Sequence, residues 1–362
     1  MRCGTSSFCT DDDDGASISG VHLTSATPQR ILSGMQPTAD SLHLGNFVGA
    51  LRQWVALQDK FEAVYFVADL HALTVAPDPA ELRERTRRTA AQYLAAGVDP
   101  ARSILFVQSH IPQPVQLGWL LQCLAGFGEA SRMTQFKDKS AKNAAGANVG
   151  LFAYPMLMAA DILIFDSALV PVGEDQRQHL ELTRDLAERL NSRYGAGTAV
   201  VPEPHIIKAG AKIQDLQHPE RKMSKSSSGD KGIVWLLDDP AKAVKAIKSA
   251  VTDTDPAYVV EYDPVKKPGV SNLLSIFSAV TDRDIPDIAA EYTGRGYGYL
   301  KKDLAEAMHE FLTPFAARAQ LYLDDPAGLD AILADGAARA AAIAEPVVSR
   351  IFDRAGILRP AA

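Results

Sequence analysis

Short apolar runs alternate with longer amphipathic segments over the first half of this chain, and this alternation constrains the fold more than any other feature. Strands are predicted at Arg30–Gly34, Ala63–Ala68, Ser103–Val107 and Leu169–Val172. The apolar segment Val200–Ile207 is then expected to bring the chain back towards the opening loop. Helices are predicted between them, from Leu44, over Pro79–Ala96, Val115–Leu124 and Leu151–Phe165, and from Gly173 through Arg189. Such an order is typical of an α/β fold, a Rossmann-type doubly wound parallel sheet that binds ligands at the carboxyl ends of its strands.

The pattern changes near Asp238, after which no strand is predicted. Helices are predicted near Ala241–Val251, Asn272–Val280, Leu300–Leu323 and Gly328–Ile343. We therefore expect three parts: a disordered extension over residues 1–28, a Rossmann-type domain over 29–237, and an all-helical domain over 238–362. The extension is rich in Ser, Thr and Gly and carries the acidic run Asp11–Asp14, a composition that cannot bury enough apolar surface to fold.

Composition is that of an ordinary soluble protein, with 362 residues, 47% hydrophobic, 22% charged and a formal net charge of −7. No apolar run approaches the roughly 20 residues needed to cross a bilayer. The three cysteines, Cys3, Cys9 and Cys123, have no metal-like spacing, so we expect no metal site built by the protein and a reducing, cytoplasmic location. An acidic net charge still allows a local basic surface that binds phosphate.

Two separated stretches point to phosphate chemistry. Pro37–Asn46 follows the first strand and places His43, Gly45 and Asn46 in the first turn of a helix, where unpaired N–H groups favour an anion. Far downstream, Lys222 and Lys225 stand in a run of small hydroxyl residues that can bring two charges onto a phosphate chain. Taken singly, the first could be a surface cap and the second a solvated loop. Neither a Walker A motif nor a G-x-G-x-x-G fingerprint occurs.

Asp161 lies on an otherwise apolar helix, and a buried carboxylate is costly unless it is paired or receives a hydrogen bond. Its partner could be an arginine elsewhere in the chain or a donor on a ligand. The polar segment Arg132–Lys142 could be a flexible basic loop beside the site or a surface connection. Gly173–Gln176 follows a strand, where a Gly and a carboxylate can either favour the helix dipole or hold ribose hydroxyls.

In this order, the two phosphate stretches resemble the HIGH-type and KMSKS-type signatures of class I aminoacyl-tRNA synthetases. Further runs resemble the bacterial-type tryptophanyl-tRNA synthetases: Ser33–Pro37, Met133–Lys137, Tyr154–Leu163, Val170–Gln176, Lys222–Ser226 and Lys267–Leu274. The resemblance implies that residues 29–237 are the catalytic domain for ATP and tryptophan and that residues 238–362 are an anticodon-binding domain. It also implies a homodimer, Mg²⁺ carried by the phosphates of ATP, and tRNA(Trp) as the acceptor of tryptophan.

The resemblance assigns a role to each matched position. ATP-binding residues would be Gln36, Thr38, His43, Gly45, Asn46, Gly173, Asp175, Ile213, Lys222, Met223, Ser224, Lys225 and Ser226. Gln36, Lys139, Lys222 and Lys225 would be catalytic, and Asp161, Tyr154, Met158 and Gln176 would bind tryptophan. Two alternatives stay open, a tyrosyl-specific enzyme of the same subclass and an inactive regulatory paralogue that binds tRNA or nucleotide. Both signature lysines are present, which favours an active enzyme.

Overall fold

The structure is a computed structural model that describes residues 29–137, 148–171, 173, 176–205, 212–224, 230–254 and 259–358. The predicted extension over residues 1–28 lies outside this range. So do residues 138–142 of the predicted basic loop and Lys225 and Ser226 of the KMSKS-like run.

One five-stranded parallel sheet organises the fold, as the alternation predicts. Its strands are β1 (Arg30–Met35), β2 (Glu62–Val67), β3 (Ile104–Val107), β4 (Leu169–Pro171) and β5 (Glu203–His205), in the order β3-β2-β1-β4-β5. Ile31 of β1 pairs with Ala63 on one side and with Leu169 on the other. The strand order reverses between β1 and β4, the place where such sheets bind ligands.

Helices cover both faces of the sheet. α1 is continuous over Leu44–Asn46, a π-helical part Phe47–Leu51, and Arg52–Leu57. It is followed by α2 (Asp69–Ala72), α3 (Pro79–Ala96), α4 (Gln113–Leu124), α5 (Phe127–Arg132), α6 (Val149–Leu163) and α7 (Arg177–Tyr194). The predicted helices are confirmed with shifted ends. The segment predicted as a basic loop is wrong at its start, since Arg132 ends α5 and residues 134–137 are helical.

The C-terminal part is helical throughout its described residues. It contains α8 (Pro240–Lys248), α9 (Pro268–Thr281), α10 (Ile285–Tyr292), α11 (Tyr297–Asp324) and α12 (Pro326–Arg354). The sequence pattern missed α10, a short helix that starts with an Ile-Pro pair. No helix of the described chain is long and apolar enough to span a membrane.

The two parts share two hydrophobic clusters, each of which contains buried residues of both. Phe47 of α1 packs against Phe311 and Phe315 of α11, with ring centroids 5.0 and 6.1 Å apart. α12 lies directly on β3, because Gly336 is buried so close to that strand that a Cβ atom there would overlap the carbonyl oxygen of Leu105. The last helix therefore covers the sheet, and the predicted division at residue 238 stays a prediction.

Candidate active site

A cavity of about 490 Å³ opens at the carboxyl ends of β1 and β4, where the strand order reverses. Gln36 and Thr38, just after β1, line one end, together with His43 and Asn46. Asp161 and Met158 of α6 line the other end. A polar end beside a helix N-terminus is thus joined to a mostly apolar end that contains one carboxylate.

His43 is the N-cap of α1. Its Nδ1 accepts a hydrogen bond from the Asn46 N–H at 3.2 Å, and Asn46 Oδ1 accepts one from the His43 N–H at 3.2 Å. This reciprocal pair fixes the first turn of the helix. Burial, reinforced by the charge of Lys222, lowers the pKa of His43 from 6.5 to about 4. The imidazole is therefore neutral at pH 7 and can keep accepting through Nδ1.

Because Gly45 has no side chain, the ring of His43 can pack directly against its backbone. A Cβ atom at Gly45 would lie 3.0 Å from His43 Nδ1 and 3.1 Å from its Cε1. Those distances are tighter than ordinary contacts, so a side chain at this position would press on the ring. The glycine of the HIGH-like signature is explained by close packing against its own histidine.

The KMSKS-like run begins on a short antiparallel pairing. Lys222 pairs with Gln214, and the N–H of Met223 donates to the carbonyl of Ile213 at 3.1 Å. The Met223 and Ile213 side chains are buried in the core, whereas Lys222 is exposed. The buried side chains anchor the segment while the lysine faces outward.

Asp161 is almost wholly buried, 3% exposed, and its described side-chain partners are Gln108 and His71. Gln108 Nε2 donates to both of its oxygens at 2.7 and 2.9 Å, and His71 Nε2 lies 2.8 Å from Oδ2. No arginine reaches it among the described contacts. Burial raises the pKa of Asp161, and the hydrogen bonds from His71 and Gln108 oppose that rise. A carboxylate offers about four acceptor positions, so these partners leave room for a further donor.

Tyr154 lies two helical turns before Asp161 on α6, with Met158 between them. A separation of seven residues spans about 10.5 Å along a helix, on one face. The Tyr154 hydroxyl is held at 2.7 Å by Nε2 of the buried His179. A ligand with polar groups at both ends and an apolar middle matches this face.

The cavity brings together most of the described residues that the resemblance assigned. Its lining includes Gln36, Thr38, His43, Asn46, Gly173, Tyr154, Met158, Asp161 and Gln176. Gly45 lies beneath His43, and Ile213 and Met223 contribute buried side chains rather than lining. Lys139, Asp175, Lys225 and Ser226 lie outside the described residues, and Ser224 follows Met223 at the edge of the described chain.

The sequence pattern did not identify His71 and Gln108, the two partners of Asp161 among the described residues. Each follows the carboxyl end of a strand, His71 after β2 and Gln108 after β3. The rule that placed the site after β1 and β4 applies equally to polar residues that follow the other strands. That signal could have identified both residues.

Comparison with known proteins identifies the class. A family model described as tRNA synthetases class I (W and Y) matches residues 24–313. The chain belongs to this family. The parallel sheet with a helical C-terminal part is the fold that the family resemblance implied.

Individual relatives fall on the tryptophan side of the family. The chain is 61% identical to tryptophan–tRNA ligase 2 of Streptomyces avermitilis, over 91% of this chain and 97% of that protein. The crystal structure of tryptophanyl-tRNA synthetase from Mycoplasma pneumoniae matches with a TM-score of 0.83 and 33% identity, covering 91% of this chain and 98% of that one. The Campylobacter jejuni enzyme complexed with ADP and tryptophan matches with a TM-score of 0.78 and 33% identity, covering 90% and 99%.

Proposed function

We propose that this protein is a tryptophan–tRNA ligase: it activates L-tryptophan with ATP to tryptophanyl-adenylate and transfers the tryptophanyl group to the 3′ end of tRNA(Trp). The observation that carries the proposal is the buried carboxylate of Asp161 at the apolar end of a cavity whose other end is a helix N-terminus. The relatives named above support the choice of tryptophan.

The apolar end suits an indole ring. Indole has one polar atom, an N–H that donates and cannot accept, and Asp161 keeps an acceptor position for it. Leu32, Phe66 and Ile162 supply apolar walls. At the far end of the ligand, Tyr154 and Gln176 are placed to bind the polar α-amino acid group.

The polar end suits ATP. Gln36, Thr38 and Asn46 surround the start of α1, where a helix N-terminus favours phosphate. Lys222 stands close enough to His43 to act on its charge. Within the described ranges no group of three or more His, Cys, Asp or Glu is arranged to hold a metal ion, so Mg²⁺ would enter on the phosphates of ATP.

The reaction requires positioning rather than a protein nucleophile. The tryptophan carboxylate attacks the α-phosphorus of ATP and pyrophosphate leaves. The 3′-terminal ribose hydroxyl of the tRNA then attacks the acyl carbon of the adenylate, the acyl–phosphate bond breaks, and AMP is released. The residues named here hold the two reactants in line and stabilise the charge on the leaving pyrophosphate. Charge stabilisation on the leaving pyrophosphate is the role proposed for three lysines, Lys222 and Lys225 of the KMSKS-like run and Lys139. A cytoplasmic location, where tRNA is charged, is part of the proposal.

ATP–pyrophosphate exchange with each standard amino acid in turn tests the proposal, followed by charging of tRNA(Trp). Exchange that depends on tryptophan, with charging of that tRNA, is expected. Exchange driven by tyrosine would establish the tyrosyl alternative, because a phenol hydroxyl can also donate to Asp161. Binding of tRNA or ATP without exchange would establish the regulatory paralogue.

We further propose that the protein is a homodimer through the face formed by α4, α5 and the start of α6. Large apolar side chains are exposed there: Trp119 is 69%, Phe127 78% and Val149 80% exposed. Large exposed apolar side chains on neighbouring helices are typical of interaction surfaces. A second copy of the chain is the partner that the family resemblance implies.

Sedimentation of charge-introducing variants tests the dimer. Trp119→Glu with Phe127→Glu should give monomers, since two charges would be buried at the contact. Leu321→Glu is the matched control, because Leu321 is equally exposed, 71%, but lies on α11, which is not part of this face. A wild-type protein that sediments as a monomer, or loss of the dimer in the control alone, would contradict this surface.

A further inference from the structure

Asn272, on α9, makes two hydrogen bonds to the main chain of one residue outside its own helix. Its Oδ1 accepts from the N–H of Gln214 at 2.8 Å, and its Nδ2 donates to the carbonyl of Gln214 at 2.9 Å. The Asn272 side chain is buried, 4% exposed. Its amide therefore takes the place of a neighbouring strand for Gln214.

Gln214 is the residue that pairs with Lys222. The two form an antiparallel bridge, and the next residues, Ile213 and Met223, continue it through a main-chain hydrogen bond. Residues 213–215 and 221–223 thus form a short antiparallel pair, here called the paired segment. Asn272 holds the first of its two strands, and the second strand begins the KMSKS-like run. No other residue of α9 is described as bonding to Gln214.

Further main-chain hydrogen bonds hold the segment together internally. The Asp215 N–H donates to the carbonyl of Arg221 at 2.9 Å, and the Leu216 N–H donates to that of Gly232 at 2.9 Å. These bonds shape the segment locally but do not tie Gln214 to α9. The tie to α9 is made by the Asn272 amide, which orients the whole segment relative to the cavity.

The segment places a charge beside the nucleotide end of the cavity. Met223 is fully buried, and its Cβ lies 3.7 Å from where a Cβ of Gly45 would be. The charge of Lys222 contributes to the lowered pKa of His43. A small tilt of the segment would therefore move Lys222 relative to the start of α1.

We propose that Asn272 is a positioning residue for adenylate formation, which holds Lys222 at the phosphates of ATP through its two hydrogen bonds to Gln214. The inference rests on the proposed function, because it assigns the phosphates of ATP to this end of the cavity. It makes the helical part of the chain a direct support of the catalytic segment. Without the amide, the N–H and carbonyl of a part-buried Gln214 would lose both partners.

The test compares Asn272→Ala with Ser275→Ala. Ser275 lies one turn further along α9 and is 2% exposed, and among the described residues its hydroxyl bonds to the Ser271 carbonyl of the same helix at 2.9 Å. Single-turnover adenylate formation should slow by about tenfold or more in Asn272→Ala, the consequence of one misplaced group. The KM for tryptophan should stay within about twofold of wild type, since the tryptophan end is untouched. Ser275→Ala should leave the rate unchanged.

A double-mutant cycle with Lys222→Ala separates positioning from loss of structure. If Asn272 acts through Lys222, Asn272→Ala should slow adenylate formation by less than about twofold in the Lys222→Ala background. An equal slowing in both backgrounds would overturn the proposal. So would a wild-type rate in a correctly folded Asn272→Ala protein.

Limited trypsin digestion gives a measurement independent of activity. Arg221 and Lys222 are exposed, and release of Gln214 should speed cleavage after them in Asn272→Ala and not in Ser275→Ala. Unchanged cleavage would contradict the tie. A wild-type protein that forms no aminoacyl-adenylate at all would instead contradict the proposed function, whatever trypsin shows.

Discussion

His71 Nε2 lies 2.8 Å from Asp161 Oδ2, and both side chains are buried at the apolar end of the cavity. Gln108 binds the same carboxylate from the next strand. His71 Nδ1 and Gln108 Oε1 have no partner among the described residues. The carboxylate is therefore held in a fixed orientation by groups that lie 90 and 53 residues away in the chain.

Replacement of Gln108 should change the pH dependence of tryptophan use. Burial raises the pKa of Asp161, and the Gln108 hydrogen bond lowers it, so Gln108→Leu should raise that pKa further. Only the ionised carboxylate offers all its acceptor positions, so the acidic fall in kcat/KM for tryptophan should move to higher pH. Gln320→Leu, on the exposed surface of α11, is the control. An acidic limb at the same pH in both variants would argue against this role.

The His43 cap should make stability depend on pH. The folded pKa is lowered from 6.5 to about 4, so the unfolded chain binds a proton first as the pH falls. The stability contributed by neutral His43 is complete above pH 6.5 and is lost progressively towards pH 4, by roughly 3 kcal/mol in all. His43→Asn keeps a capping side chain that does not titrate. The difference in unfolding free energy between the two proteins should therefore vary with pH, and a constant difference would contradict the lowered pKa.

Two glycines on α1 provide a matched pair. Gly45→Ala should press on His43 and slow adenylate formation by about ten- to a hundredfold, as misplacement in a positioned site does. Gly49→Ala, where a Cβ meets nothing within 4 Å, should leave activity unchanged. It should raise the unfolding free energy by about 0.5–1 kcal/mol because alanine favours helix. Equal activity of the two variants would show that the contact with His43 is unimportant.

The packing of α12 on the sheet is tested by Gly336→Ala. The added methyl group would overlap the Leu105 carbonyl, so the helix must move away from β3, at a cost of about 1–3 kcal/mol or more. Gly298→Ala, in open space on α11, is the control and should cost nothing. Denaturant unfolding measures both. If Gly336→Ala is as stable as the control, α12 does not lie against the strand in solution.

The sequence allowed the sheet and the edge that carries the site to be predicted, because buried parallel strands read as apolar runs such as Ala63–Ala68. It also drew attention to Asp161, since a lone carboxylate on an apolar helix is conspicuous. The partners of Asp161 could not be read from local pattern, because His71 and Gln108 reach it only through the order of the strands. The Asn272 contact with Gln214 and the contact of Gly336 with Leu105 likewise have no local signal. The burial of Ile213 and Met223 follows from tertiary packing of a segment that reads as a polar loop.

We propose that Asp161 selects tryptophan through the indole N–H. The amino acid β-(3-benzothienyl)alanine, in which sulfur replaces that N–H and the ring shape is kept, probes this hydrogen bond alone. The wild-type protein should prefer tryptophan in kcat/KM by about 10- to 160-fold, the equivalent of the 1.5–3 kcal/mol of a hydrogen bond to a charged group.

The same ratio in Asp161→Ala should fall close to one. Loss of Asp161 also leaves the His71 and Gln108 donors unpaired, so the variant's melting temperature must be measured alongside, and Asp161→Asn, which keeps one acceptor, should lie between the two. The preference for tryptophan should collapse in folded Asp161→Ala protein. A preference for tryptophan that is equal in wild type and Asp161→Ala would contradict it.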